Sequence, residues 1–395
     1  MSTLSAKTCA SDIGDLRRDD MLFLSPTASL HARGCYATLT HPADDGDDLN
    51  GVFQRQVRHL FEQAQRDGLD NPLLVGAVPF DKRQPVNLKI PTSYRWIQRD
   101  ELAERPATNT FPRILRQRQI PDRETFMRMV SAGIDATKRG ELNKIVLSRL
   151  LDIETEQPLD TLSLLLRLNQ QNPWSYNFHL PLADGCLVGA SPELLLRKQG
   201  MTIASQPLAG SSRRSNDAGE DHRLQQALQS SVKDRYEHQL VIEEMQRALL
   251  PRCRSLTVPQ APTLISTPVL WHLATHLQAD VIDPRENALS MACLLHPTPA
   301  LCGTPFQPAL DRIGELEPFD RQRFGGIVGW CDAQGNGEWA VTIRCGEVQD
   351  NRVRLFAGAG IVPDSQPLSE WQETGVKLST MLRAFGLQQD REHAA

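Results

Sequence analysis

The chain has no long basic tract and no interleaving of basic with aromatic residues. Its 43 Lys and Arg stand against 48 Asp and Glu, a formal net charge of −5, which argues against nucleic acid as a partner. An anionic ligand must then be held by a local cluster of cations and backbone amides, not steered by the whole surface. No window approaches 18 consecutive apolar residues, so no membrane partner is expected. The opening MSTLSAKTCASDIGDLRRDD lacks a basic stretch followed by an apolar one, so a secretory signal is not expected and a cytoplasmic location is. The eight cysteines (Cys9, Cys35, Cys186, Cys253, Cys293, Cys302, Cys331, Cys345) are scattered and form no CxxC pair. Reduced thiols are the expectation, rather than structural zinc or a disulfide framework. Internal repeats and low-complexity linkers are missing too. What is there is ordinary for a globular protein: 395 residues, 40% hydrophobic and 23% charged. That length allows two or three ordinary domains or one large α/β unit.

Residues 1–20 read as loosely ordered. Between 20 and 120, short apolar strands (MLFLSP, PLLVGAVPF) mix with a polar helix near 50–68 and Pro-containing loops around 90–122. DRETFMRMVSAGIDATKRGEL (122–142) spaces Phe126, Met129, Val130, Ile134 and Ala136 as a helix, with Gly140 as its stop. LDTLSLLLRLNQQNP predicts a second helix ending at Pro173, and GCLVGASPELLLRKQGMTIASQP predicts strands turned around Gln199-Gly200. One long helix is expected over about 217–250, and another at ENALSMACLLHP up to Pro297. The region 323–362 is strand-rich, with turns at Asp332–Gly337 and Asp350–Asn351. A final helix is expected to open at Ser369, which with Gln372 makes a capping-box pattern, and to run to about Phe385. Many strands mixed with long helices make the fold α/β or α+β.

In RGELNKIVLSRLL (139–151) the residues alternate: Lys144, Val146, Ser148 and Leu150 on one face, Ile145, Leu147, Arg149 and Leu151 on the other. Taken alone, Lys144 reads as a strand-end lysine whose ammonium snorkels to water. Kept from water, the same group tends to lose its proton and serve as a general base. Glu193 follows Ser191-Pro192 and precedes three leucines. Pro192 removes a ladder donor and aims the next side chain off the regular pleat. A carboxyl in such apolar company has a raised pKa and suits a general acid, although an edge-strand glutamate in water fits the same residues. Glu237 (in KDRYEH) and Glu373 (in EWQETGVKL) lie on helical stretches. Two monodentate carboxylates suit Mg²⁺, which keeps much of its hydration shell. The plainer readings are solvent exposure for Glu237 and an i,i+4 salt bridge to Lys377 for Glu373. FAGAGIV (356–362) brings two glycines where amides can approach a carboxylate, but Pro363 stands where a dinucleotide fingerprint needs a third. HLATH spaces His272 and His276 at i,i+4 without the glutamate of a zinc protease.

NKIVLSR, GASPELLL, PLAGSSRR, KDRYEH, WHLATHL, LLHPTPALCG, FGGIVGW, TIRCGEV, FAGAGIV and EWQETGVKLSTML together resemble, in type and order, the chorismate-utilising enzymes. The likeness covers about 115–388, extends weakly into the N-terminal third, and is to isochorismate synthases of the catecholate-siderophore, enterobactin-like branch. It implies one α/β (α+β) domain over 21–388 of the anthranilate and aminodeoxychorismate synthase kind. Such a domain has layered sheets enclosed by helices, with two intertwined subdomains, a catalytic core over about 115–388, and 389–395 as a tail. It implies an isomerase that adds water at C2 of chorismate while the C4 hydroxyl leaves. In that reaction Lys144 would be the base, Glu193 the acid, and Glu237 and Glu373 the Mg²⁺ ligands. Gly210, Arg344, Gly358, Gly360 and Lys377 would hold the substrate carboxylates, with His272 and Ala300 on the ring. It further implies a monomer, with downstream pathway enzymes as its protein partners. Aminodeoxychorismate synthases carry a lysine at the position of Ala209, and salicylate synthases a tyrosine at that of Phe324. The alternatives are therefore a salicylate synthase or a non-catalytic chorismate-binding regulator.

Overall fold

The computed structural model describes residues 16–103 and 112–386. Most of the expected loose N-terminus and all of the 389–395 tail fall outside those residues. Every strand pairing among them is antiparallel. Three sheets of ten, nine and three strands result. The ten-stranded sheet has Lys144–Thr155, Arg352–Ile361, Cys345–Gln349, Cys186–Ser191 and Tyr176–Pro181 side by side. It continues through Met21–Leu24 to the N-terminal strands. The nine-stranded sheet centres on Leu194–Gln199, Gly337–Val341, Ile327–Asp332 and Leu73–Val78. A small sheet is built from Leu208–Arg213, Leu270–Ala274 and Thr263–Ser266.

Period-two patterning sets the layers. Along Met21–Leu24, Met21 and Phe23 enter one apolar cluster, while Leu22 and Leu24 enter another beneath the helices Thr161–Gln171 and Pro367–Ala384. The first of these helices buries Leu164, Leu165, Leu166 and Leu168 there, each worth about 1.5–3 kcal/mol of transfer free energy. Lys144–Thr155 instead divides along its length, with Ile145, Leu147 and Leu150 in the first cluster and Leu151 and Ile153 in the second. Ile145 and Leu147 pack on Gly133 of the helix Arg123–Lys138, where a Cβ would already crowd both side chains.

Two boundaries differ from the sequence reading. The helix expected over 217–250 is two helices, Ala218–Ser230 and Val232–Leu249. Ser231 leaves helical geometry (ψ 118°) and its hydroxyl accepts from Asp234 N–H, capping the second helix. The last helix opens at Pro367, not at a Ser369 capping box. Gln366 precedes it without a side-chain cap, and Pro367 takes the first turn, where its missing N–H costs nothing. The remaining expected helices end where the sequence indicates: Asp122 caps Arg123–Lys138, Gly140 turns the chain away at φ +74°, and Ala288–Leu295 carries a capping box from Asn287.

Candidate active site

The chain passes between the two large sheets several times, and two of these crossings lie side by side. Cys186–Ser191 lies in the ten-stranded sheet and Leu194–Gln199 in the nine-stranded one, so the chain changes sheet across Pro192-Glu193. Gly337–Val341 and Cys345–Gln349 change sheet in the opposite sense across Arg344, beside them. Val341 N–H donates to the Glu193 carbonyl and Ala190 N–H to the Arg344 carbonyl, tying the crossings together. Arg344 adopts φ +50°, a left-handed conformation that costs a non-glycine residue about 1–3 kcal/mol and clusters at functional sites. The expectation that Pro192 aims Glu193 off the pleat is met by this change of sheet. The Glu193 side chain is buried, accepting from Leu208 N–H at 3.3 Å. Burial pushes its carboxyl up to about 7, against the pull of that N–H and of Arg344, Lys144 and Lys377. Burial also lowers the Arg344 guanidinium to about 10.

Lys144 is fully buried, not snorkelling. Its Nζ lies 2.9 Å from Glu237 Oε1, an ion pair between two buried side chains. Glu237 is buried as well. Burial alone would raise its carboxyl, but Lys144, Lys233 and Lys377 outweigh that and hold it below the ordinary value. His238, next along the helix, fixes this stretch by donating to the Ala209 carbonyl and accepting from the Thr275 hydroxyl. Gly360 pairs with Val146 across the sheet, and a Cβ there would meet Glu237 Oε1 at 2.0 Å and Lys144 Cε at 3.0 Å. On the other strand face, Arg149 lies 3.7 Å from the Trp371 ring centre and donates to Thr374, away from this site.

The helix Pro367–Ala384 presents Glu370, Glu373 and Lys377 on one face. The i,i+4 bridge from Lys377 to Glu373 forms, at 2.6 Å, and both residues also line the cavity. Lys377 donates to the Gly358 carbonyl at 2.9 Å and Ser211 donates to Glu373. Behind them Glu370 pairs with Lys233 at 2.6 Å, and its Oε2 is buried without a partner. Burial and then the Glu373 carboxylate push Glu370 up, and burial likewise raises Asp234. Four carboxylates thus crowd one corner. No group of three His, Cys, Asp or Glu among the described residues could hold a metal unaided. Two cavity-facing carboxylates, with an orphaned carboxylate oxygen behind them, fit a hard divalent cation that keeps waters and takes ligand oxygens.

The cavity so formed holds about 600 Å³ of atom-free space, part of it open to solvent. Glu193, Gly210, Glu237, His272, Ala300, Arg344, Gly358, Gly360, Glu373 and Lys377 all line it. Lys144 does not. It lies directly behind Glu237 and Gly360, because its ammonium goes to the carboxylate. His272 is a buried strand residue with no partner at Nε2. Burial, then Arg344 and Lys377, keep its imidazole well below its usual value and neutral. His276 is exposed beyond the same strand, so the i,i+4 spacing creates no pair. Ala209 and Phe324 also face the cavity, with Phe324 stacked on Phe356 at 5.2 Å. Sequence reasoning missed Ser211, Lys233, Asp234 and Glu370. Helical spacing was the available signal for the last three, since each shares a helix face with Glu237 or Glu373.

The chain is similar to known proteins along nearly its whole length. EntC, an isochorismate synthase of Escherichia coli K12, is 50% identical over 391 residues, which is 98% of this chain and all of EntC. The crystal structure of a Bacillus anthracis protein assigned as a 2,3-dihydroxybenzoate-specific isochorismate synthase, DhbC, superposes with a TM-score of 0.87 at 41% identity. It covers 95% of this chain and 98% of that one. Anthranilate synthase component I of Streptococcus pneumoniae TIGR4 shares the fold, at TM-score 0.71 and 20% identity, covering 95% of each chain. The pattern of chorismate binding enzymes matches residues 70–386, which include every cavity-lining residue and Lys144. With acid, carboxylate pair and cations on one seam, this chain belongs to the chorismate-binding enzyme family.

Proposed function

We propose that the protein is an isochorismate synthase, an isomerase acting on chorismate in catecholate-siderophore, enterobactin-type biosynthesis. One observation carries the reading. A buried carboxyl whose pKa lies at about 7 shares a cavity with a two-carboxylate corner backed by a buried lysine. Water adds at C2, the C4 hydroxyl departs, and the ring double bond migrates. Glu193, which burial keeps partly protonated near pH 7, gives its proton to the departing hydroxyl, which leaves as water. Lys144, as the free amine, takes the proton of the attacking water, for which Nζ turns from Glu237 past Gly360. Arg344 and Lys377 clamp the substrate carboxylates, with the backbone at Gly210, Gly358 and Gly360 close by. His272, neutral, and Ala300 bound the ring.

Glu237 and Glu373 would hold Mg²⁺, which when bound withdraws electron density through the ring carboxylate and orients the substrate. The chain works in the cytoplasm as a monomer alongside downstream pathway enzymes, as one domain over 21–388. In support of that unity, both large sheets draw strands from the first hundred residues and from beyond residue 320. No helix among the described residues is long and apolar enough to cross a membrane. Phe324 brings no hydroxyl to the cavity and Ala209 no amine, which disfavours the salicylate and aminodeoxychorismate routes.

The test is incubation of the purified chain with chorismate and Mg²⁺, with products resolved by chromatography. Isochorismate is expected. Salicylate with pyruvate, or unchanged chorismate, would overturn the assignment.

A further inference from the structure

The outer edge of the strand Lys144–Thr155 is covered in two pieces. Gly303–Thr304 pairs with Lys144 and Ile145, and Ile114–Ile120 pairs from Leu150 onward. Between them the backbone pairing ends at Val146, whose N–H donates to the Cys302 carbonyl at 2.9 Å, and among the described residues no strand covers positions 147–149. Side chains cover much of that gap. Ser148 N–H donates to Glu317 Oε1 at 2.7 Å, and the Val146 carbonyl accepts from Arg321 Nη2 at 2.7 Å. Glu317 and Arg321 grip each other in a two-point contact of 2.5 and 2.8 Å, with side chains 1% and 2% exposed.

The same residue reaches two further segments, one through its guanidinium and one through its backbone. Arg321 Nη1 donates to the Leu301 carbonyl at 2.7 Å, and the Arg321 carbonyl accepts from Phe324 N–H at 2.9 Å. The guanidinium plane lies over the Phe80 ring, 4.4 Å from the centre. Val146, Leu301 and Phe324 all line the cavity, whereas Glu317 and Arg321 do not. Three wall segments therefore hang on Arg321, one of them at Val146, two positions from Lys144 along the strand. Only a planar fork of donors can serve carboxylate, strand and loop together; a lysine offers a point charge and fewer fixed directions.

We infer that Glu317 and Arg321 form a positioning pair for the reaction: they stand in for the missing strand, fixing Lys144 and the ring wall relative to each other. The inference rests on the proposed isochorismate synthase reading. Neither residue touches substrate, so its effect falls on the geometry of turnover, not on affinity.

The test uses the full-length chain as Arg321→Lys and as Glu317→Gln, each assayed well below its own unfolding midpoint. Because breaking a buried ion pair destabilises the fold, the variant that stays folded decides if the other does not. Glu317→Gln keeps a carbonyl for Ser148 N–H. Expected is a fall in kcat of about 10²-fold with KM within about threefold. Exchange of the Ser148 amide should quicken by about tenfold while 150–155 stays as in the parent. A folded variant with kcat within about twofold of the parent would make the pair purely structural and overturn the inference, as would unchanged exchange at Ser148. The exchange arm is independent of substrate. A parent chain that leaves chorismate unchanged therefore overturns the reaction assignment, while exchange still decides whether the pair anchors the strand.

Discussion

Lys144 Nζ and Glu237 Oε1 stand 2.9 Å apart, both side chains buried, on a strand and a helix 93 positions apart in sequence. The pair makes Lys144 a structural partner as well as the proposed base. Lys144→Ala should therefore do two things. Turnover should be abolished while Mg²⁺-dependent chorismate binding persists. Leaving the Glu237 carboxylate buried and unpaired should cost about 3–5 kcal/mol of stability. The double variant Lys144→Ala with Glu237→Gln removes the orphaned charge, so thermal unfolding should recover part of the loss while activity does not return. Near-normal turnover of a folded Lys144→Ala protein would remove the lysine from the mechanism.

Glu193 ties stability and activity to pH. Its carboxyl rises from an ordinary 4.5 to about 7 on folding, chiefly through burial, with Arg344, Lys144 and Lys377 facing it and opposing the rise. The folded state thus holds the proton more tightly than the unfolded chain. The contribution, about 3 kcal/mol, is fully present below pH 4.5 and is lost as pH rises through about 7. Glu193→Gln should flatten that slope in unfolding midpoints taken from pH 5 to 8. The same substitution should lower turnover by about 10²–10⁴-fold, and parent turnover should decline above pH 7 as the acid ionises. An unfolding profile equally steep in Glu193→Gln would assign the pH dependence to other groups.

The face of Lys144 was legible because a strand's side chains alternate strictly. Arg149 on the opposite face indeed goes to Trp371 and Thr374. Pro192 likewise announced that Glu193 would leave the pleat. What the sequence could not disclose depends on pairing between distant segments. Nothing local says that Lys144 Nζ would be taken by Glu237, or that the chain would change sheet at both Glu193 and Arg344. The break at Ser231 was locally encoded, in a serine that caps the helix after it, but helical propensity on both sides concealed it. The crowd of Glu370, Asp234 and Lys233 follows from helix spacing only once the helix faces are known to meet.

Glu373 serves a salt bridge and a proposed metal corner at once, and Glu373→Gln separates the two. The amide keeps an acceptor for Ser211 and for Lys377 but loses the charge that a divalent cation needs. The Mg²⁺ concentration for half-maximal turnover should rise by about 10–100-fold, with little loss of fold, because the bridge is partly exposed and such pairs contribute only about 0–1 kcal/mol. An unchanged Mg²⁺ titration would leave Glu373 with the salt bridge alone.

Gly360 offers the sharpest steric test. Its Cβ position lies 2.0 Å from Glu237 Oε1 and 3.0 Å from Lys144 Cε, so Gly360→Ala drives a methyl between the proposed base, its partner and the cavity. The first atom met is the end of a side chain, so the strand can stay paired with Val146 while Glu237 gives way. A displacement of that size at a reacting group costs about 10²-fold in rate. Turnover should fall by that order, Mg²⁺ dependence should weaken as Glu237 moves, and the unfolding midpoint should drop less than for Lys144→Ala, since both charges remain paired nearby. Steady-state kinetics with a Mg²⁺ titration checks this. Parent-like kinetics in Gly360→Ala would mean that neither Glu237 nor Lys144 needs the position seen here.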